Sequence, residues 1–243
     1  MANPTAAMLV IGDEILSGRT RDSNMHFLAG ALTAHGVDLS EARVVADDIE
    51  AIVGAVRALS AAYDHVFTSG GIGPTHDDIT ADAMARAFGV PIGVRDDARA
   101  VLMAYIGARG LEPTEARMRM ARIPDGAVLI DNPVSAAPGF TINNVHVCAG
   151  VPRIFEAMVA NVLAGIAGGQ PILSQTFRVN RPEGEIAGPL AELAARFTAL
   201  SIGSYPFSQN NVLGANIVVR GHDGAAVSAA MLELAALFPE ATE

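Results

Sequence analysis

Three times in the first half of this chain, a strand-length apolar run ends in a polar or glycine-rich loop and passes into residues whose apolar positions recur at helical spacing. Ala6 to Ile11 precedes the polar loop Gly12 to Asp22, and then a helix expected from about Ser23 to His35, stopped by Gly36. Leu39 to Val45 precedes a helix carried by Ile49, Ile52, Val53, Val56 and Leu59, with Asp47 or Asp48 placed to cap it. His65-Val66-Phe67-Thr68-Ser69 runs into a glycine-rich segment and then a helix over Ile79 to Phe88. Such alternation is that of βαβ units and predicts an α/β fold.

Beyond it, Asp96 to Arg109 and Thr114 to Arg122 read as helices, and Ala127 to Ile130, Phe140 to Ile142 and Val145 to Cys148 as short strands. Val151-Pro152 opens an amphipathic helix that runs out near Gly168-Gly169. The glycines and proline of Gly165 to Pro171 mark a boundary. The remainder of the chain reads β-α-β-β-α: Gln175 to Val179, Glu185 to Phe197, Ser201 to Tyr205, Ala215 to Arg220 and Ala225 to Phe238. The expected organisation is an α/β domain over 1–168 and a small α+β lobe over 171–243.

Charge narrows the chemistry. The formal net charge is −10, and all 16 basic residues are arginine. Without lysine there is no Schiff-base chemistry and no Walker-type phosphate lysine. Scattered arginines on an acidic chain do not make the basic patch that nucleic-acid binding needs. An anionic ligand must therefore be held by backbone amides, a few arginines or a metal ion. A hydrophobic content of 51% supplies a core, yet no apolar stretch reaches the roughly 18–20 residues that span a bilayer. The Met1-Ala2-Asn3-Pro4-Thr5 start lacks the basic and apolar regions of a secretory signal. The single cysteine, Cys148, sits in an apolar strand run and allows no disulfide within the chain. A cytoplasmic location, with no membrane and no nucleic-acid partner, is the expectation.

The strongest candidate site is Gly70-Gly71-Ile72-Gly73-Pro74-Thr75-His76-Asp77-Asp78-Ile79-Thr80. It lies between a buried strand and a helix, where α/β folds place ligands. Glycines at 70, 71 and 73 let backbone N–H groups approach phosphate oxygens, and a helix N-terminus favours the same charge. Glycine content alone leaves two readings open, a phosphate cradle or an ordinary turn with Thr75 and Asp78 as a capping pair. Asp77 and Asp78 shift the balance, because two carboxylates would repel a phosphate unless a divalent cation inverts the local field. Mg²⁺ held by one or two carboxylates together with substrate phosphates is the usual arrangement. A second acidic loop, Gly12-Asp13-Glu14-Ile15-Leu16-Ser17-Gly18, follows the first strand and reads either as crevice lining or as a solvated loop. Asp22, Ser23 and Asn24 open the next helix, where Ser23 and Asn24 are placed to donate to a ligand. His76 stands beside the acidic pair, and the other histidines show no zinc-ligand spacing.

The Gly12–Gly18 segment, Asn24, Asp47 and the Gly70–Thr80 block together resemble the molybdopterin-binding domain. The N-terminal part of competence/damage-inducible protein A is the nearer likeness. Ala121-Arg122-Ile123-Pro124-Asp125-Gly126-Ala127, Asn132-Pro133 through Gly139-Phe140, and Gly150-Val151-Pro152 extend it. Ile202-Gly203-Ser204-Tyr205-Pro206 resembles the second lobe of the molybdopterin-binding-like domain of FAD synthase. This resemblance implies a three-layer α/β fold with a mixed sheet, and divalent-metal-dependent hydrolysis of a nucleotide pyrophosphate of ADP-ribose or FAD type. It assigns Asp78 and Asp47 to catalysis and Asp77 and Asp78 to a metal, Mg²⁺ with Mn²⁺ or Co²⁺ as alternatives. Taken together with the reading of the loops, Gly70, Gly71, Gly73, Thr75, Asp13 and Asn24 are expected to contact the ligand.

Molybdopterin is a further candidate ligand, and homo-oligomers are expected. Adenylyl transfer to molybdopterin, or binding without turnover, are the alternatives. No nicotinamide-nucleotide deamidase segment is recognised, so that activity is not expected. The chain departs from the family pattern at Ala149, where proline is usual, at Arg153-Ile154-Phe155, where an acid is usual, and at Ser135, where glycine is usual.

Overall fold

The first strand, β1 (Thr5–Ile11), has no polar face. Ala6, Met8 and Val10 enter one core while Ala7, Leu9 and Ile11 enter another. A strand is apolar on both sides where both faces of its sheet are covered, and the computed structural model, which describes residues 3–209 and 212–239, shows that arrangement. By its internal contacts the chain divides into Met1–Gly169 and Gln170–Glu243.

In the first unit a six-stranded mixed sheet runs β2-β1-β3-β8-β7-β6. Its parallel part joins β1 to β2 (Asp38–Val45) and β3 (His65–Ser69), and β3 to β8 (Val145–Cys148). Antiparallel β7 (Gly139–Ile142) and β6 (Val128–Ile130) complete it. α2 (Asn24–His35) and α7 (Pro152–Gly165) cover one face through Leu28, Leu32, Phe155, Met158 and Val159. α3 (Ile49–Ala62), α4 (Thr80–Phe88) and α5 (Asp96–Ala108) cover the other through Ile52, Val56, Leu59, Met84 and Leu102. Each of these large apolar side chains contributes on the order of 1.5–3 kcal/mol on burial. The result is the expected three-layer α/β fold. Gly36 ends α2 in the left-handed region at φ 77°, its N–H donating to Thr33 O while the N–H of Val37 donates to Leu32 O. Asp48, not Asp47, caps α3, its Oδ1 accepting from Ala51 N at 2.9 Å.

Two local expectations are corrected. The polar loop after β1 contains a single helical turn, α1 (Asp13–Leu16). The helix expected over Thr114 to Arg122 is only α6 (Glu115–Arg119), because Arg122 to Pro124 forms β5 and pairs antiparallel with β4 (Ile92–Val94). Arg122 fastens that ribbon to α4 by clamping Asp82 with both terminal nitrogens, at 2.6 and 2.8 Å. Cys148 is buried as expected, and burial pushes its thiol up to about 12.

The second unit is a three-stranded antiparallel sheet, β10-β11-β9, built from β9 (Leu173–Val179), β10 (Ser201–Gln209) and β11 (Val212–Gly221). α8 (Glu183–Arg196) and α9 (Gly224–Leu237) pack against it around Ala215, Ile217, Val219, Ile186, Leu193 and Leu234. Tyr205 is exposed, and Phe207 lies under the Arg178 guanidinium, 3.9 Å from the ring centroid. Among the described residues, no helix is long and apolar enough to cross a membrane.

Candidate active site

The loops that leave β1, β2, β3 and β8 at their C-terminal ends open onto one crevice of about 480 Å³. That volume is within the roughly 300–1,000 Å³ of small-molecule sites, and the carboxyl edge of a parallel sheet is where such folds bind ligands. Gly12 and Glu14 line it from the β1 loop, and Asp47 from the end of β2. Gly70 to Pro74, Asp77 and Asp78 line it after β3, and Ala149 to Val151 after β8. Asn132, Ser135 and Ala137 close it from the segment between β6 and β7.

The glycines after β3 are dictated by close packing. Gly70 has φ 110°, and a Cβ there would lie 2.2 Å from the carbonyl oxygen of Ile11. Gly71 has φ 69°, and its Cβ would meet Thr80 Oγ1 at 2.1 Å. Only glycine tolerates both backbone and space. Thr80, fully buried at the start of α4, staples the two ends of the loop together. Its Oγ1 donates to Gly70 O at 3.0 Å and its N donates to Gly71 O at 3.0 Å.

Inside that loop Asp78 folds back on Thr75. Oδ2 accepts from Thr75 N at 2.8 Å and from Thr75 Oγ1 at 2.5 Å. The expected capping pair therefore exists, but it closes the 75–78 turn, while the N-cap of α4 is Ile79 without a side-chain cap. Thr75 is exposed, does not line the crevice, and donates from both N and Oγ1 to Asp78 Oδ2. Asp77 is exposed and its carboxyl is held below the usual range, first by the Thr75 hydroxyl. One hydroxyl has one proton, so the two acids compete for it, and the 2.5 Å contact gives it to Asp78. The His76 side chain is 99% exposed and 3.9 Å from Asp77.

Asp47 is half-buried and accepts from Asp13 N at 2.9 Å. Burial raises its pKa most; the Asp13 amide opposes this, and the charges of Asp13, Glu14 and Asp77 add to the rise. Asp13 reaches the site by its backbone alone, its side chain being exposed and outside the lining.

Asn24 is placed differently from the expectation of a ligand donor. It is buried, and its Nδ2 donates to Ser69 Oγ at 2.7 Å and to Gly150 O at 2.8 Å, tying α2 to the ends of β3 and β8. Both amide hydrogens are thereby taken. Asn24 Oδ1 is buried, accepts no hydrogen bond and borders a side recess of about 70 Å³ beside Glu14 and Gly70.

No three His, Cys, Asp or Glu side chains converge as a ready-made metal cage among the described residues. Glu14, Asp47, Asp77 and Asp78 nevertheless face one crevice. That donor set fits a cation shared between one or two carboxylates and ligand phosphates, as Mg²⁺ is commonly held, and not a cation held by protein alone. Glu14, Asn132 and Arg119 were not singled out from the sequence. Glu14 belongs to the acidic Gly12–Gly18 loop after β1. Asn132 is brought in by its own turn, donating to Ser135 Oγ at 2.7 Å and to Ala137 O at 2.8 Å.

Comparison with known proteins agrees with this architecture. Residues 7–173 match the family described as "Probable molybdopterin binding domain", and residues 171–243 match "FAD synthase, middle domain". The chain is 33% identical over 254 residues to a "Probable FAD synthase" of Caenorhabditis briggsae, and 34% identical over 254 residues to one of Caenorhabditis elegans. Each alignment covers 95% of this chain and 49% of the relative, so the chain spans about half the length of these curated relatives. The crystal structure of the protein CinA, of unknown function, from Thermoplasma acidophilum superposes with a TM-score of 0.62 at 34% identity. It covers 68% of this chain and 99% of that one.

Proposed function

The chain belongs to the molybdopterin-binding domain family, and on that premise we propose that its first unit is a divalent-metal-dependent hydrolase of nucleotide pyrophosphates of the ADP-ribose or FAD type. The observation that carries this reading is the convergence of Glu14, Asp47, Asp77 and Asp78 on a crevice whose floor is the Gly70–Gly73 backbone. A wall of acids beside a glycine-rich backbone suits a phosphate only when a cation stands between them. The likeness to FAD synthases supports a nucleotide ligand.

When bound, a divalent cation supplies charge neutralisation on the diphosphate and lowers the pKa of a bound water. The chain's own part is holding and proton transfer. The peptide N–H groups of Gly71 to Gly73 hold phosphate oxygens, while that of Gly70 is taken by Cys148 O at 3.3 Å. Water attacks one phosphorus, the bridging P–O bond breaks, and two phosphate monoesters leave. ADP-ribose would give AMP and ribose 5-phosphate. Asp47, whose proton affinity burial and three neighbouring acids raise, is suited to accept the proton of the attacking water. Asp77 and Asp78 are assigned to the cation, Asp78 through Oδ1, since its Oδ2 accepts from Thr75 N and Oγ1.

Those two bonds to Thr75 also suit one rival, ligand binding without turnover, in which Asp78 keeps the loop folded and nothing more. Calorimetric titration with ADP-ribose and with inorganic pyrophosphate, each in Mg²⁺ and in EDTA, tests the binding half of the proposal. Metal-dependent affinity for ADP-ribose exceeding that for pyrophosphate supports it. Equal affinity in Mg²⁺ and EDTA, or pyrophosphate binding as tightly, refutes it.

A further inference from the structure

Among the described residues lining the crevice there are four carboxylates and no arginine or histidine. An anionic ligand there is opposed by every charged side chain in view, so the nearest guanidinium matters. α6 ends at Arg119, immediately behind the Gly71–Asp78 loop. Its Nε is buried and meets no acceptor, and its Nη2 makes one long contact, 3.5 Å to Asp78 O. Arg122, three residues on, is the contrast, with both of its terminal nitrogens engaged by Asp82. A buried, unmet guanidinium N–H is costly and seldom left so.

Arg119 borders a narrow recess of about 20 Å³ together with Gly71, Ile72, Asp78 and Met120, and all four of these also line the crevice. The recess takes an oxygen-sized group and no more. In a chain without lysine, a planar guanidinium fork is the side chain suited to a phosphate oxygen.

We propose that Arg119 is a ligand-binding residue of this site, reaching from behind the glycine loop to one oxygen of the nucleotide diphosphate. This rests on the nucleotide-pyrophosphate reading. The structure gives Arg119 two tasks, supporting Asp78 O in the folded loop and supplying the positive charge that the crevice itself lacks.

The test is calorimetric titration of the full chain with ADP-ribose and Mg²⁺ at several salt concentrations, for wild type and Arg119→Ala. The variant is expected to bind at least about tenfold more weakly, the equivalent of losing one charge-assisted contact. Its affinity should also depend less on salt, because one screened charge pair has gone. Arg119→Lys, with charge but no fork, should fall between them. If Arg119→Ala does not melt cooperatively, Arg119→Gln takes its place under the same criteria. Affinity unchanged by the substitution, or weaker affinity with an unchanged salt slope, overturns the assignment and leaves the hydrolase reading standing. If wild type itself binds neither ADP-ribose nor FAD, that reading and this one fall together.

Discussion

Replacing His146 with glutamine should remove a sizeable part of this fold's acid sensitivity. His146 is on β8, 5% exposed, and stacked against His65 of β3 with ring centroids 5.4 Å apart. Its Nε2 is 3.2 Å from His65 Nδ1 and its Nδ1 is 3.0 Å from Thr141 Oγ1, so both ring nitrogens are placed for hydrogen bonds in the neutral form. Burial first, and the neighbouring His65 second, push its pKa down from 6.5 to about 4. His65 is also lowered, by burial first and by His35, against an opposing pull from Asp64.

Below the ordinary value the unfolded chain binds a proton that the folded chain refuses, so the stability contribution is full above about pH 6.5 and is lost as pH falls through about 4. A displacement of about 2.5 units amounts to about 3 kcal/mol at full titration, and about 2–3 kcal/mol between about pH 7 and pH 4.5. Urea denaturation of wild type and His146→Gln at those two pH values is the assay. Wild type should lose about 2–3 kcal/mol more than the variant. Equal losses would show that the folded protein protonates the ring freely, and that burial does not govern it.

Other outcomes are more local. Asp78→Asn should melt cooperatively and show no metal-dependent turnover, since it keeps size and hydrogen bonding but not charge; undiminished turnover in the folded variant removes Asp78 from the mechanism. Asn24→Leu should cost about 2–4 kcal/mol, because it leaves Ser69 Oγ and Gly150 O without their buried donor; a melting temperature within a degree or so of wild type would contradict the tie. Residues 1–168, expressed alone, should be soluble and melt in one transition, as expected of a part with its own two cores; a molten fragment would show that this stretch depends on the second unit.

The strand and helix pattern was legible wherever burial leaves a periodic mark. Ala6 to Ile11 of β1 is apolar without interruption because helices cover both faces of its sheet. The β4–β5 ribbon left no such mark. Three-residue strands are too short for periodicity, and Arg122 faces Asp82, a partner forty residues away that no local pattern predicts. β10 was expected to stop before Pro206, yet it continues to Gln209, with Pro206 opposite Ala215. It is an edge strand, where a missing N–H disturbs no ladder on the open side.

The loop at Gly70 to Thr80 was visible because glycine, aspartate and threonine cluster there. The direction in which each side chain points was not. Asp78 turning onto Thr75, and Asn24 turning inward onto Ser69, are settled by donors and acceptors that meet only once the chain is folded. Arg119 was hidden for the same reason, since its helix reaches the site only in three dimensions.

The proposed reaction is cleavage of a nucleotide pyrophosphate in this crevice through a divalent cation. Phosphorus NMR of ADP-ribose incubated with the full chain reads both parts at once. With Mg²⁺, Mn²⁺ or Co²⁺ the diphosphate signals should give way to those of AMP and ribose 5-phosphate, and excess EDTA should stop the conversion. Persistent diphosphate signals under conditions where calorimetry shows ADP-ribose bound, or cleavage that continues in EDTA, would contradict the account.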